Sequence, residues 1–570
     1  MTTPSIPRAL STRVVPALTD LAARVAEAAF PFDTPDAAAG RALQRDLGDQ
    51  LNDYLLPRAQ NPDAPVLVVV GGSTGAGKST LVNSVVGKPV TAAGVIRPTT
   101  HHPVLVHHPA DAEHFTSDRV LPSLERVVKP GTDLGRPQVR LVASDAVPRG
   151  LALLDSPDID SVDEANRTLA RQLLAAADLW LFVTTATRYA DAVPWDLLGT
   201  ASQRGTTVSL VLDRVPAQAN REVRHHLAEL LSAADLGSAP IFTVPELALV
   251  DGLLPEAAVF PVRSWLFGLG TNSRARERVV SRTLTGALAT VPDRAAALSE
   301  HVRSQEDTDR DLRAAVDRSW ARARETLESS LVDGRVLRGE VLARWQDFVG
   351  TGQFFRGLEP TVARIRDRIT SAVTGKRDAA APLEKAIGDS IALLVRENVH
   401  EALGDARDRW EELPAGRALL QGASAAIDLS ADFETDLDRT VREWSTWVND
   451  LVRQEGQGKR AKARILSFGV NAVGAVLMLA AFSGTGGLTG AEAGIAGGTA
   501  AVSGKLLDTI FGDQVTRDLT ETARAELHTR IIDLVERTRE PFDRLLAERP
   551  VPTRRSGAIA AAASRLEENL

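Results

Sequence analysis

The residues most able to do chemistry sit in GGSTGAGKST, residues 71–80 of a 570-residue chain. Within it, Gly72 to Ser79 fit G-x-x-x-x-G-K-[ST]. An apolar run, PVLVVV, ends just before it, and STLVNSVVG, a helix-like pattern, follows. That context is the one in which the motif cradles phosphate: glycines let backbone N–H groups turn toward phosphate oxygens, and the helix adds its positive end. Gly72, Ser73, Thr74, Gly75, Ala76, Gly77, Lys78, Ser79 and Thr80 are therefore the expected nucleotide-binding residues. Lys78 is expected to reach the β- and γ-phosphates, and the Ser79 hydroxyl to ligate Mg²⁺.

Two further stretches supply what a phosphate loop lacks. In GVIRPTTHHPVLV (94–106), Thr99 and Thr100 precede a strand-like run; a threonine there would coordinate Mg²⁺ and sense the γ-phosphate, and Thr100 is the favoured one. In LALLDSPDID (151–160), Asp155 ends an apolar run, where a second Mg²⁺-holding carboxylate belongs. Loop, threonine and strand-end aspartate in this order are the parts of a nucleotide switch, with Lys78, Thr100 and Asp155 as the catalytic set and Ser79, Thr100 and Asp155 as the metal ligands. Ser156 follows Asp155 where an ABC-type ATPase has a glutamate, and no LSGGQ-like signature occurs. His101, His102, His107 and His108 flank a strand, but neighbouring residues of a strand face opposite ways, which disfavours a shared metal.

The elements that must carry these groups read as α/β. Apolar runs at 65–70, 103–107, 138–143, 151–154, 178–184, 207–212 and 240–244 alternate with helical stretches, including 167–177 and 221–234. Continuously apolar strands are buried on both faces, so the pattern predicts a doubly wound, mostly parallel sheet over residues 61–290. Residues 1–60 carry helical spacing and are expected to pack on the stalk. From 295 to 570 strand texture stops, and stripes such as Leu312, Val316, Trp320, Leu327 and Leu331 predict a long helical bundle or stalk.

One segment of that stalk differs. Residues 465–504 hold a single charge, Glu492. Their first 19 residues (465–483) would span about 28 Å as a helix, close to a bilayer core. A Gly-rich stretch then suits a reversal, and Lys459, Arg460, Lys462 and Arg464 lie immediately upstream. Two readings stand: a membrane-inserting hairpin whose basic run (459–464) meets anionic lipid on the cytoplasmic side, or a Gly/Ala hairpin buried in the bundle. The formal net charge of −8 disfavours a nucleic-acid partner. The absence of Cys excludes disulfides and thiolate chemistry.

GGSTGAGKST, RPTT, LLDSPD and VSLVLDRV together resemble the dynamin-like large GTPases, in particular the bacterial branch, over about 65–216. The resemblance implies GTP as the nucleotide, Mg²⁺-dependent hydrolysis, self-association through the GTPase domain, and membrane remodelling from the cytoplasmic face of the cell membrane. It implies base contacts at Asp213 and Arg214, where the family carries [N/T]-K-x-D; here the fourth position is Pro216. The family's D-x-x-G becomes Asp155-Ser-Pro-Asp158, and Thr74 and Gly75 stand where dynamins usually carry Gln and Ser. The alternative function is a soluble regulatory switch that binds a protein partner through its helical half.

Overall fold

The structure, a computed structural model, describes residues 8–92, 103–117, 119–122, 124–127, 138–161, 163–203, 206–216, 218–332, 335–337, 339–349, 377–423, 429–458, 461–462, 465, 469–483 and 503–570. It divides into two units. The first comprises residues 1–30, 36–306 and 552–570, and the second residues 31–35 and 307–551.

The first unit is built on one eight-stranded sheet. Its strands are β1 (Val66–Gly72), β2 (Val104–His107), β3 (Glu125–Val127), β4 (Gln138–Ala143), β5 (Leu151–Asp155), β6 (Leu179–Thr185), β7 (Thr207–Val215) and β8 (Ile241–Pro245). They lie in the order β3-β4-β2-β5-β1-β6-β7-β8. Every neighbouring pair is parallel except β2 with β5. The expected mostly parallel, doubly wound sheet is thus observed. β3 was not anticipated; three residues beginning with the exposed Glu125 carry no readable period.

Helices α1 (Arg8–Ala26), α2 (Ala37–Asp49), α3 (Leu56–Gln60), α4 (Lys78–Val86), α5 (Ala112–Thr116), α6 (Glu164–Ala175), α7 (Ala192–Gln203), α8 (Asn220–Ala233) and α9 (Glu256–Thr271) accompany this sheet. β1 is buried along its whole length, and its alternating side chains enter two different cores. Val66, Val68 and Val70 join Leu81, Val82 and Val85 of α4 with Val259 and Leu266 of α9. Leu67 and Val69 join Leu173 of α6, Leu198 of α7 and Leu227 of α8 on the other face. Aliphatic side chains on both faces make β1 a continuous apolar word in the sequence, and they fix where the following loop emerges.

The N-terminal helices belong to the first unit. Leu18, Leu21 and Val25 of α1 share a core with Leu284, Val291 and Leu298 of α10 (Ser273–Val332) and with Ile559 and Leu566 near the C-terminus. The unit boundary falls inside α10, so no break in periodicity marks it.

The second unit is helical: α11 (Glu340–Val349), α12 (Arg377–Glu412), α13 (Pro414–Ala423), α14 (Phe433–Glu455), α15 (Val470–Ser483), α16 (Asp513–Arg537) and α17 (Glu540–Ala547), with α18 (Arg555–Glu567) returning to the first unit. Buried tryptophans tie the bundle because each indole N–H finds a helix carbonyl. Trp320 donates to Val535 at 2.9 Å, Trp410 to Leu312 at 3.0 Å and Trp444 to Ala523 at 3.0 Å. Of the apolar segment, α15 is described, and Ala475 to Phe482 are buried in the bundle core. Its Gly474 lets α14 approach closely, since a Cβ there would strike the Asn449 side chain. Arg524 of α16 donates to the Ala481 carbonyl at 2.7 Å near the helix end. Among the described residues, no helix is long and apolar enough to cross a membrane. The reversal and second arm (484–502), and Lys459, Arg460 and Arg464 of the basic run, lie outside the described residues.

A buried ion pair fastens α3 to the sheet. Arg58 donates to Asp178, to the Ala64 carbonyl at 2.9 Å and to the Pro65 carbonyl at 3.1 Å. Asp178 also accepts the Leu67 N–H at 2.8 Å, and its carbonyl accepts the Thr283 hydroxyl. Both partners are shielded from water, so removing one strands the other's charge. Arg58→Ala is expected to destabilise the first unit by about 3–5 kcal/mol, read as a lowered urea midpoint.

Candidate functional site

The phosphate loop leaves β1 at Gly72, and close approach dictates the residue there: a Cβ would fall on the Val183 carbonyl oxygen of β6. Gly77 precedes α4 with φ +95°, in the left-handed region, and a Cβ there would strike the Asp213 carboxylate. These two glycines let the loop turn between β1 and β6 and reverse into α4 without strain. Lys78 opens α4 and is folded back under the loop. Its ammonium donates to the Gly72 carbonyl at 2.8 Å, to the Ser73 carbonyl at 3.1 Å and to the Asp158 carboxylate at 2.5 Å.

The strand beside β1 delivers the opposing groups. β1 and β5 run parallel in register, Val70 opposite Asp155, so both strands end at one edge. Asp155 Oδ2 accepts the hydroxyls of Ser79 and Thr91, each at 2.7 Å. Its Oδ1 is buried without a hydrogen-bond partner. Two residues past Asp158, Asp160 accepts the Thr74 N–H at 2.5 Å and the Thr74 hydroxyl at 2.7 Å. Arg188, just beyond β6, donates to Asp160 at 2.9 Å, to the Thr74 carbonyl at 3.0 Å and to Asp191 at 2.8 Å. Asp155, Asp158 and Asp160 thus each hold a different residue of the loop.

Their environments differ. Burial pushes the Asp155 carboxyl above its ordinary range, and the bonds from Ser79 and Thr91 only partly oppose this. Burial acts in the same sense on Asp160, but the Thr74 and Arg188 contacts outweigh it and hold that carboxyl below its ordinary range. Asp160 therefore stabilises the folded chain above its unfolded pKa, and this stabilisation is lost as pH falls through the lowered folded value.

On the far side of the loop, Asp213 ends the parallel β6–β7 register and is raised by burial, with Arg214 opposing and Glu246 adding to the shift. Arg214 has φ +51° and donates to the Gly75 carbonyl. The structure therefore brings Lys78, Ser79, Asp155, Asp213 and Arg214 around one loop. Thr99, Thr100, His101 and His102 lie outside the described residues. His107 contacts the His108 carbonyl and lies against the Phe115 ring, and His108 accepts the Ala110 N–H. Among the described residues no His, Asp and Glu group has metal-site geometry. Tyr189 and Trp195, candidates for a dimer-contacting loop, bond locally: Tyr189 to His226, and the Trp195 indole to the Tyr189 carbonyl.

Thr91, Asp160 and Arg188 were not anticipated. Arg188 lies 114 residues from Thr74, and no local spacing joins them. Asp158 was legible only as a departure from D-x-x-G.

An ionised Asp155 costs the folded state, because its folded pKa is raised; the cost is absent at low pH and grows as pH rises through that value. Asp155→Asn is expected to raise the thermal midpoint of the nucleotide-free protein by a few degrees near pH 8, an increment that fades toward pH 4, while hydrolysis is lost. Scanning calorimetry at the two pH values, with a phosphate-release assay, checks both halves.

Residues 68–210, about a quarter of the chain, match the model of the Dynamin family. No curated protein matches by sequence. Among solved structures, a bacterial dynamin pair described as a mechanism for long range sensing and tethering of membranes is 10% identical, with 93% of this chain and 95% of that chain covered and a TM-score of 0.36. Toc33 from Arabidopsis thaliana, in complex with Mg²⁺ and GMPPNP, is 16% identical over 41% of this chain and 94% of its own, with a TM-score of 0.24. Era from Aquifex aeolicus, bound to GDP and AlF4⁻, is 19% identical over 35% of this chain, with a TM-score of 0.23; only 56% of Era is spanned. The sequence match takes in most of β1, the phosphate loop, Asp155 and the first four residues of β7. Residues 68–210 are thus similar to the Dynamin family, and the phosphate loop Gly72–Ser79 and Asp155 lie within that match.

Proposed function

We propose that the chain hydrolyses GTP with Mg²⁺, pairs through its GTPase domain, and couples the nucleotide cycle to rearrangement of its helical part at the cytoplasmic face of a membrane. The observation that carries the reading is the convergence of Lys78, Ser79 and Asp155 at the shared edge of β1 and β5. The residues present suit the metal: Ser79 and Asp155 offer hard oxygen donors, and the buried Asp155 Oδ1 lacks a partner. Bound there, Mg²⁺ would neutralise charge on the β- and γ-phosphates. The loop N–H groups and Lys78 hold the phosphates, and Thr100 is the candidate further Mg²⁺ ligand that senses the terminal one. Arg214 stacks on the base, with Asp213 as the nearby carboxylate in place of the absent fourth-position aspartate.

Membrane work falls to residues 465–504 and the basic run 459–464. The soluble-switch alternative draws support from the burial of Ala475 to Phe482 within the bundle. The two differ in a direct measurement. Deleting 465–504 should abolish flotation of the chain with anionic liposomes; undiminished flotation would remove the anchor, and no flotation of the intact chain would favour the switch.

Nucleotide selectivity is tested separately. Labelled GTP bound to the purified chain should be displaced by GTP at least tenfold more readily than by ATP. Lys78→Ala should weaken binding of both by more than tenfold. Equal displacement by ATP would overturn the guanine assignment while leaving the phosphate site in place.

A further inference from the structure

The three loop-facing carboxylates are not equivalent. Asp155 is shared by two hydroxyls, and Asp160 is held by Thr74 and by the Arg188 guanidinium. Asp158, by contrast, meets Lys78 as its charge partner and sits where the GTPase pattern has a glycine. An ammonium has three protons to give. The two loop carbonyls and the Asp158 carboxylate take all three. The lysine expected to hold a terminal phosphate is therefore already neutralised from within the chain. The pair is close because Lys78 is only 5% exposed and the bond is charge-assisted.

We propose that the Asp158 carboxylate occupies the terminal-phosphate position on Lys78, so that the site takes a guanosine diphosphate in preference to a triphosphate until Asp158 turns away. A β-phosphate is held mainly by the loop N–H groups and leaves the carboxylate in place. A γ-phosphate is a second anion aimed at the same ammonium, and two anions that close repel. Turning away is open to Asp158, whose side chain is 26% exposed, whereas Asp155 is fully enclosed. Ser156 and Ile159, anchored to the Val70 and Gly72 carbonyls of β1, keep the backbone in place while the side chain moves. The bond is thus a selector on the triphosphate state.

The inference rests on the loop being a guanine-nucleotide site, and the experiment separates the two. Titration calorimetry of the full chain with GDP and with GMPPNP, both with Mg²⁺, gives a ratio of affinities. The wild-type chain is expected to bind GDP at least tenfold more tightly than GMPPNP. Asp158→Gly should cut that ratio by at least tenfold. Asp158→Asn, which keeps the shape and removes the charge, should cut it in the same direction and guards against misfolding of the glycine variant; thermal melts report folding of both. A wild-type preference for GMPPNP, or a ratio unchanged within twofold in the folded variants, overturns the inference and leaves the nucleotide site standing. Failure of the wild-type chain to bind either nucleotide overturns the reading of the loop, and the inference with it.

Discussion

The site depends on the burial of β1. Because this strand has β5 on one side, β6 on the other and an apolar core against each face, neither its register nor its direction is free. Its parallel neighbours must end where it ends. The phosphate loop after β1, the Asp155–Asp160 segment after β5 and Arg188 after β6 therefore arrive at one edge. In an open α/β sheet, ligands bind in the crevice outside the carboxyl ends of the strands, where the following helices present their N-termini. The Arg58–Asp178 pair acts at the other end of the same strands. It accepts the Leu67 N–H near the start of β1, so two buried polar arrangements bracket one apolar element.

Much of this was legible in the residues. β1 could be read because both of its faces are buried, so it is written without a polar interruption. Lys78, Ser79 and Asp155 could be read because their roles follow from position on a strand end or helix start. β3 could not, since three residues at a sheet edge carry no period. The grouping of α18 with α1 was equally hidden: an amphipathic stripe shows that a helix has a buried face and is silent about which helix covers it. Arg188 and Asp160 are joined to Thr74 by the fold alone.

The departures from the GTPase pattern acquire a structural account. Asp158 is not a tolerated side chain in a glycine's place but a ligand for the loop lysine. Asp213 lies beside the glycine of the G-K-S turn, where only the absence of a Cβ makes room for it. Arg214, in a left-handed conformation, reaches the Gly75 carbonyl rather than extending from the strand. Asp158 and Asp213 add negative charge to the loop's surroundings, Arg214 keeps the positive charge of the family's lysine, and each is accommodated by an internal contact.

The burial of α15 bears on what release of that helix would involve. Hydrocarbon solvates leucine and valine about as well as a protein interior does, so the departing helix itself would lose little on entering lipid. The seat it leaves is another matter. Trp444 of α14, whose ring packs against Phe482, would face water unless the neighbouring helices closed over the gap. The energetic barrier to exposing such a helix therefore lies in the groove rather than in the helix, and whatever reseals that groove governs whether the helix can stay out.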